Sequence, residues 1–248
     1  MDYMVYAHLQ LARDADARRV MEDATAVSGF TTLRFAGPYA QAAMPARYAL
    51  ERGDWKQAMT LEPRPSQFPF TVALTHFARA LGAARGGDAP AAEKEVQELA
   101  RLRDAMKTAK NEYWATEVEV SRLGAAAWTT FALGRHEEAL SLMRSAADIE
   151  DKHEKHIVTP ARIVPARELL GEMLLELKRP AEALKEFEAS QVREPERFRG
   201  YHGAAQAAAQ SGDKVKARRY FARLVELAGQ GAARRELAEA RAFLAANP

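Results

Sequence analysis

Along the whole chain apolar residues return at three- and four-residue spacing, the mark of helices with one buried face, and no stretch alternates apolar and polar positions over a strand's length. Within that periodicity one phrase recurs: a small or basic turn residue, a short polar stretch, and an alanine five positions after the turn. It reads "ARDADARRV", "RGDWKQAM", "GGDAPAAEKEV", "LGRHEEALSLM", "LKRPAEALKEF" and "SGDKVKARRYF", which aligns Ala17, Ala58, Ala92, Ala139, Ala183 and Ala217. Each phrase predicts the joint of a helix-turn-helix unit. Gly53, Gly87, Gly134 and Gly212 can take the left-handed conformation that ends a first helix, and Asp54, Asp88 and Asp213 follow as N-caps for the second. Pro180 stands at an early helical position, where its missing N–H is tolerated.

The aligned alanines are separated by 41, 34, 47, 44 and 34 residues, and 34 is the period of a tetratricopeptide repeat. The chain resembles that family most fully in its fifth unit, where Leu170, Gly171, Leu174, Ala183, Phe187 and Pro195 match family positions 7, 8, 11, 20, 24 and 32. In the sixth, Tyr201, Ala205, Ala208, Gly212, Ala217 and Phe221 match positions 4, 8, 11, 15, 20 and 24. The resemblance covers nearly the whole chain, and its wording is also similar to the C-terminal part of long bacterial tetratricopeptide proteins with no assigned activity. It implies one all-α, right-handed superhelical domain. Its units lie near residues 1–36, 37–70, 71–108, 109–158, 159–196 and 197–229, followed by a capping helix over 231–246. The physics agrees: small residues at positions 8 and 20 let paired helices approach closely, and the aromatic at 24 fills the groove beside them.

Departures from the period are equally informative. Pro63 and Pro65 cut short the second helix of unit two, and "NEYWATEVEVSRLGAAAWTTFALG" predicts a long first helix in unit four. In the capping helix Leu237, Phe243 and Leu244 are placed to cover the last repeat, with Arg234, Arg235, Glu239 and Arg241 toward solvent. At the other end the chain begins inside a helix with Met1, Tyr3, Met4 and Tyr6 clustered. That apolar edge calls for upstream repeats or a second copy, which makes a homodimer one expectation.

Composition narrows the classes. Of the 248 residues 48% are hydrophobic and 28% charged, so the chain can bury a sizeable interior. Lys and Arg number 36 against 34 Asp and Glu, a formal +2 with the signs interleaved, which argues against nucleic acid as a partner. The basic crowd of Lys214, Lys216, Arg218, Arg219 and Arg223, near Arg193, Arg197 and Arg199, lacks interleaved stacking aromatics and reads as an outer face. The absence of cysteine removes disulfides, thiolate metal sites and cysteine nucleophiles. The start "MDYMVYAHLQLARD" has no basic leader, and no apolar run reaches the roughly 20 residues a bilayer span needs. The expectation is a soluble cytoplasmic protein with no membrane partner.

Candidate chemistry gathers in "EDKHEKHIVTPARIVPARELLG", Glu150 to Gly171. On a continuing helix His153 and His156 would share a face with Glu150 or Asp151 and could hold a divalent metal, but the spacing is not the H-E-x-x-H of zinc proteases. The plainer reading is an insertion that lengthens the second helix of unit four, with Pro160 and Pro165 ending one helix and starting the next. Glu168, Glu172 and Glu176, at i, i+4 and i+8, form a one-sided acid ladder, which is either a solvated face or, with the two histidines, an acid/base or metal-dependent enzyme site. No phosphate-binding glycine loop or serine elbow is present, and no cofactor is expected.

The resemblance implies that positions 5, 9 and 13 of each first helix line a concave groove. Position 9 gives Tyr6, Arg47, Leu81, Trp128, Glu172 and Gln206; position 5 contributes Phe77, Glu168 and His202, and position 13 contributes Arg85 and Glu176. Trp128 fits groove and core equally. The lysine and asparagine clamp by which some chaperone-binding members hold a peptide C-terminus is missing from these positions. The leading expectation is therefore a non-catalytic scaffold that holds a peptide segment of a partner protein, with an enzyme and a homo-oligomeric structural role as alternatives.

Overall fold

The turns fall where the repeated phrase puts them. Gly53, Gly87, Gly134 and Gly212 all have positive φ, between 62° and 85°, and in two other joints Ala12 and Lys178 adopt the same left-handed conformation at 54° and 59°. The side chains of Asp54, Asp88 and Asp213 accept the backbone N–H groups of Gln57, Ala91 and Lys216 at 2.9–3.0 Å, so three second helices start on the expected caps. All six aligned alanines are fully buried.

The structure, a computed structural model, describes residues 1–26, 34–229 and 234–247. Among these the regular structure is entirely helical, in thirteen helices. They are α1 (Asp2–Gln10), α2 (Asp14–Ala26), α3 (Ala36–Glu51), α4 (Trp55–Met59), α5 (Pro69–Arg85), α6 (Ala89–Thr108) and α7 (Glu112–Ala132). After these come α8 (His136–Asp151), α9 (Ala166–Glu176), α10 (Pro180–Arg193), α11 (Phe198–Gln210), α12 (Lys214–Ala228) and α13 (Arg235–Ala246). Helix α4 stops after five residues, ahead of Pro63, and α7 runs for 21, both as the sequence indicates. Helix α8 does not extend through the insertion. It ends at Asp151, and residues 152–165 leave the helical path, so His153 and His156 do not share a helix face with Glu150.

The chain divides into two compact units. The first comprises Met1–Val5 and Arg18–Ala166, the second Tyr6–Ala17 and Arg167–Pro248. In the first, α5 packs against α3, α4, α6 and α7, and α7 also packs against α6 and α8, so helices adjacent in sequence are adjacent in space. Across this stack Gly82 approaches α4 so closely that a Cβ there would lie 2.6 Å from the backbone nitrogen of Met59.

In the second unit α11 packs on α10 and α12, and α12 on α13. Its core centres on Phe187, whose ring would lie 2.7 Å from a Cβ at Gly171 and 2.2 Å from one at Gly203. The N-terminal segment contributes polar anchors. Gln10 accepts the backbone N–H of Phe198 at 2.8 Å, and Asp14 pairs with Arg234 at 2.5 Å. Arg234 is thus taken out of solvent, contrary to its expected place on the outer face of the capping helix, because its guanidinium meets Asp14 and its stem lies over the Phe198 ring. Leu237 is buried, and Phe243 packs on Phe221 with ring centroids 4.9 Å apart.

Candidate functional site

Of the eleven side chains expected to line a groove, five are interior, five are half-buried and one, Glu176, is exposed. Phe77, Leu81 and Trp128 are buried in the first unit, and Trp128, 2% exposed, belongs to the core. Arg85 lies half-buried between two indoles, its guanidinium carbon 4.0 Å from the Trp128 ring centroid and 5.0 Å from that of Trp55. Arg47 is fully buried. It donates to the backbone carbonyls of Ala161 and Arg162 at 3.0 and 2.9 Å and meets Asp2 at 3.4 Å. The face of α3 that carries Arg47 is therefore covered by the chain's own residues, the N-terminal turn and the segment after α8.

That segment is tied down along its length. The Tyr113 hydroxyl donates to the Glu154 carbonyl, the Tyr3 hydroxyl to that of Ile157, and Glu150 accepts the backbone N–H of Ala166 at 2.9 Å. Arg162 reaches the carbonyl of His153 and the carboxylates of Glu117 and Glu150. Thr159, Ala161, Ile163 and Val164 are buried, whereas Ile157, whose carbonyl accepts from the exposed Tyr3, has its side chain 87% exposed.

The two histidines are brought to the start of α7 rather than to a metal-binding cluster. His153 packs on Tyr113, ring centroids 4.5 Å apart, with its Nε2 3.5 Å from Glu117; burial and the neighbouring Arg162 hold its pKa below the usual value. His156 stacks on Trp114 and meets the edge of Phe35. Among the described residues no group of three or more His, Asp or Glu side chains is arranged to hold a metal ion.

In the second unit the acid ladder is divided by its partners. Glu168 is buried in a two-pronged ion pair with Arg197, Nε to Oε1 at 2.7 Å and Nη2 to Oε2 at 3.1 Å. Glu172 pairs with Arg199, and Glu176 is exposed. His202 and Gln206, both half-buried, bond Glu239 of α13 at 2.9 and 3.1 Å, and Tyr6 is half-buried as well. Hydrogen bonds from His202 and Gln206 keep the Glu239 carboxyl below its ordinary pKa.

An open feature that sequence reasoning passed over lies in the first unit, between α3 and the loop leading into α5. Here a cleft of about 260 Å³ is lined by Pro38, Gln41 and Ala42 of α3, by Arg64, Pro65, Ser66 and Gln67 of the loop, and by Thr71 of α5. Its loop is held from below. Arg79 donates to the Leu61 carbonyl at 2.7 Å and to Glu95 at 2.7 Å, while His76 lies 2.6 Å from the other Glu95 oxygen. Burial would raise the Glu95 pKa, but the bonds from His76 and Arg79 outweigh it and hold the group ionised. Ser66 accepts the Phe68 backbone N–H, and Thr71 donates to the Phe68 carbonyl. Arg64 and Gln41 have no ion-pair or hydrogen-bond partner among the described residues.

Beside the cleft stands an aromatic group. Phe35 meets Phe68, Phe70, Trp114 and His156 at centroid distances of 5.2–6.2 Å, all edge-on, and Phe70 stacks flat on Trp114 at 3.9 Å. Phe35, Phe68, Tyr113, Trp114 and His156 are half-buried. The only sequence signal for this site was "LEPRPSQFPF", which the repeat pattern treats as a broken helix; its Arg64, Pro65, Ser66 and Gln67 build one cleft wall, and Phe68 and Phe70 supply rings beside it. Compared with models of known protein families and with curated proteins, the chain matches none.

Proposed function

We propose that the chain is a non-catalytic binding scaffold, a helical-repeat array of the tetratricopeptide type that holds a peptide segment of a partner protein. The observation that carries this reading is the cleft between α3 and the loop before α5. It is open, it presents an arginine and a glutamine without partners among the described residues, and half-buried aromatic rings adjoin it. At about 260 Å³ it falls below the ~300–1,000 Å³ of sites that enclose a whole small ligand. It suits one anchoring side chain of a longer segment, whose remaining residues lie across the neighbouring rings.

The mechanism is preorganisation. Pro63 and Pro65 restrict the loop backbone, and Arg79 fixes its start, so little freedom is lost when a ligand binds. The expected groove is relocated accordingly, because the chain's own residues cover the face of α3 that carries Arg47.

Capture from a lysate of the source organism tests the reading with a Gln41→Trp variant, which fills the cleft, and a Glu93→Trp variant, which adds an indole to an exposed position on α6. A partner retained by wild type and Glu93→Trp but lost by Gln41→Trp supports the proposal. Equal retention by all three proteins contradicts it.

A further inference from the structure

The cleft's donors and acceptors are unequally supplied. Arg64 offers a guanidinium that can only donate, Gln41 offers amide N–H groups beside its carbonyl oxygen, and Ser66, whose oxygen already accepts from the Phe68 N–H, has its hydroxyl proton left to give. No aspartate or glutamate is among the lining residues. The nearest acid in the sequence, Glu62, is exposed and outside the lining. A carboxylate is the complement of such a surface, since it only accepts hydrogen bonds and can take two from one guanidinium.

Resting on the scaffold reading above, we infer that the cleft recognises an acidic side chain, aspartate or glutamate, carried within an extended partner segment whose adjacent apolar residues contact the Phe35 and Phe68 rings. The carboxylate sits against Arg64 with Gln41 and Ser66 as further donors. Two prolines, Pro38 of α3 and Pro65 of the loop, bound the pocket on either side of the exposed guanidinium. The two rings flank the chain segments that build the cleft, Phe35 just before α3 and Phe68 just before α5, and stand 6.2 Å apart. An apolar residue next to the acid therefore has an aromatic surface to cover. A basic segment would instead face an unopposed arginine, so the site discriminates by repulsion as well as by attraction.

The test uses short synthetic peptides, acetylated and amidated so that no chain terminus supplies a charge, composed of glutamate, proline and phenylalanine. Versions with glutamine or lysine in place of glutamate serve as comparisons, and binding to the full chain is read by fluorescence anisotropy. The glutamate peptide is expected to bind about tenfold more tightly than the glutamine peptide, the advantage of a charge-assisted hydrogen bond, and the lysine peptide more weakly still. An Arg64→Glu variant is expected to reverse the order and favour lysine; Arg64 is exposed, so circular dichroism and melting should match wild type. Equal binding of glutamate and glutamine peptides, or an unchanged order with Arg64→Glu, overturns the inference. If such charge-blind binding is still abolished by Gln41→Trp, the scaffold reading survives alone. No binding by any of the three peptides overturns both.

Discussion

Removing one half of the Glu168–Arg197 pair should be costly, and removing both halves should not. The two side chains are 1% and 0% exposed, and the guanidinium engages both carboxylate oxygens. Glu168→Gln keeps the volume but removes the carboxylate charge that faces the Arg197 guanidinium in the interior of the second unit. That change costs about 3–5 kcal/mol. At about 2–4 °C per kcal/mol for a chain of this size, the melting temperature falls by roughly 6–20 °C. Glu168→Leu combined with Arg197→Met removes both charges and fills most of the space, and should recover to within about 2 kcal/mol of wild type. Space around the pair is tight, since a Cβ at Gly200 would lie 2.9 Å from the Glu168 carboxylate, so shorter apolar replacements should serve better than bulkier ones. Thermal and urea melts of the three proteins, followed by circular dichroism, read the comparison. A loss below about 1 kcal/mol for Glu168→Gln, the value of an exposed pair, would refute the reasoning.

Three further predictions follow from single contacts. Gly203→Ala places a methyl group 2.2 Å from the Phe187 ring and should destabilise by about 1–3 kcal/mol, with Phe187→Leu restoring part of the loss; equal melting of wild type and Gly203→Ala would count against the packing described. His153, held below its usual pKa of 6.5 by burial and by Arg162, is flanked by Tyr113 and Glu117. Because the unfolded chain takes up this proton first, the contribution of His153 is complete above pH 6.5 and is lost as pH falls toward the lower folded value; His153→Gln should flatten stability against pH in that window, and an unchanged slope would exclude the assignment. Arg79→Ala should speed hydrogen exchange in residues 61–68 and weaken binding at the cleft, although Arg79 does not line it; unaltered exchange there would mean the loop is fixed by other contacts.

The joints of this protein were legible because turns obey local chemistry. A positive φ favours glycine, an N-cap needs a short oxygen-bearing side chain, and Gly53–Asp54, Gly87–Asp88 and Gly212–Asp213 meet both demands within two residues. Buried alanines at the repeat positions and the early end of α4 follow from the same short-range rules. Side-chain destinations were less legible, because periodicity assigns a residue to a face without revealing what else covers that face. Arg47 was placed on a groove, and residues more than a hundred positions later supply the carbonyls that bury it. Glu168, Glu172 and Glu176 share helical spacing, yet Arg197 and Arg199 take the first two into ion pairs and leave the third exposed. The cleft escaped notice for the opposite reason: its walls come from α3 and from an irregular loop that a repeat alignment discards.

The central claim, that a partner's segment is held at the cleft, is tested most directly by site-specific photo-crosslinking. A benzophenone amino acid in place of Gln67, an exposed lining residue, is compared with the same group in place of Glu93 on α6, in lysate of the source organism. The account predicts a discrete adduct from position 67 that is missing from position 93 and is competed away by the capped glutamate peptide. The same adducts from both positions, or adducts that the peptide leaves untouched, would contradict it.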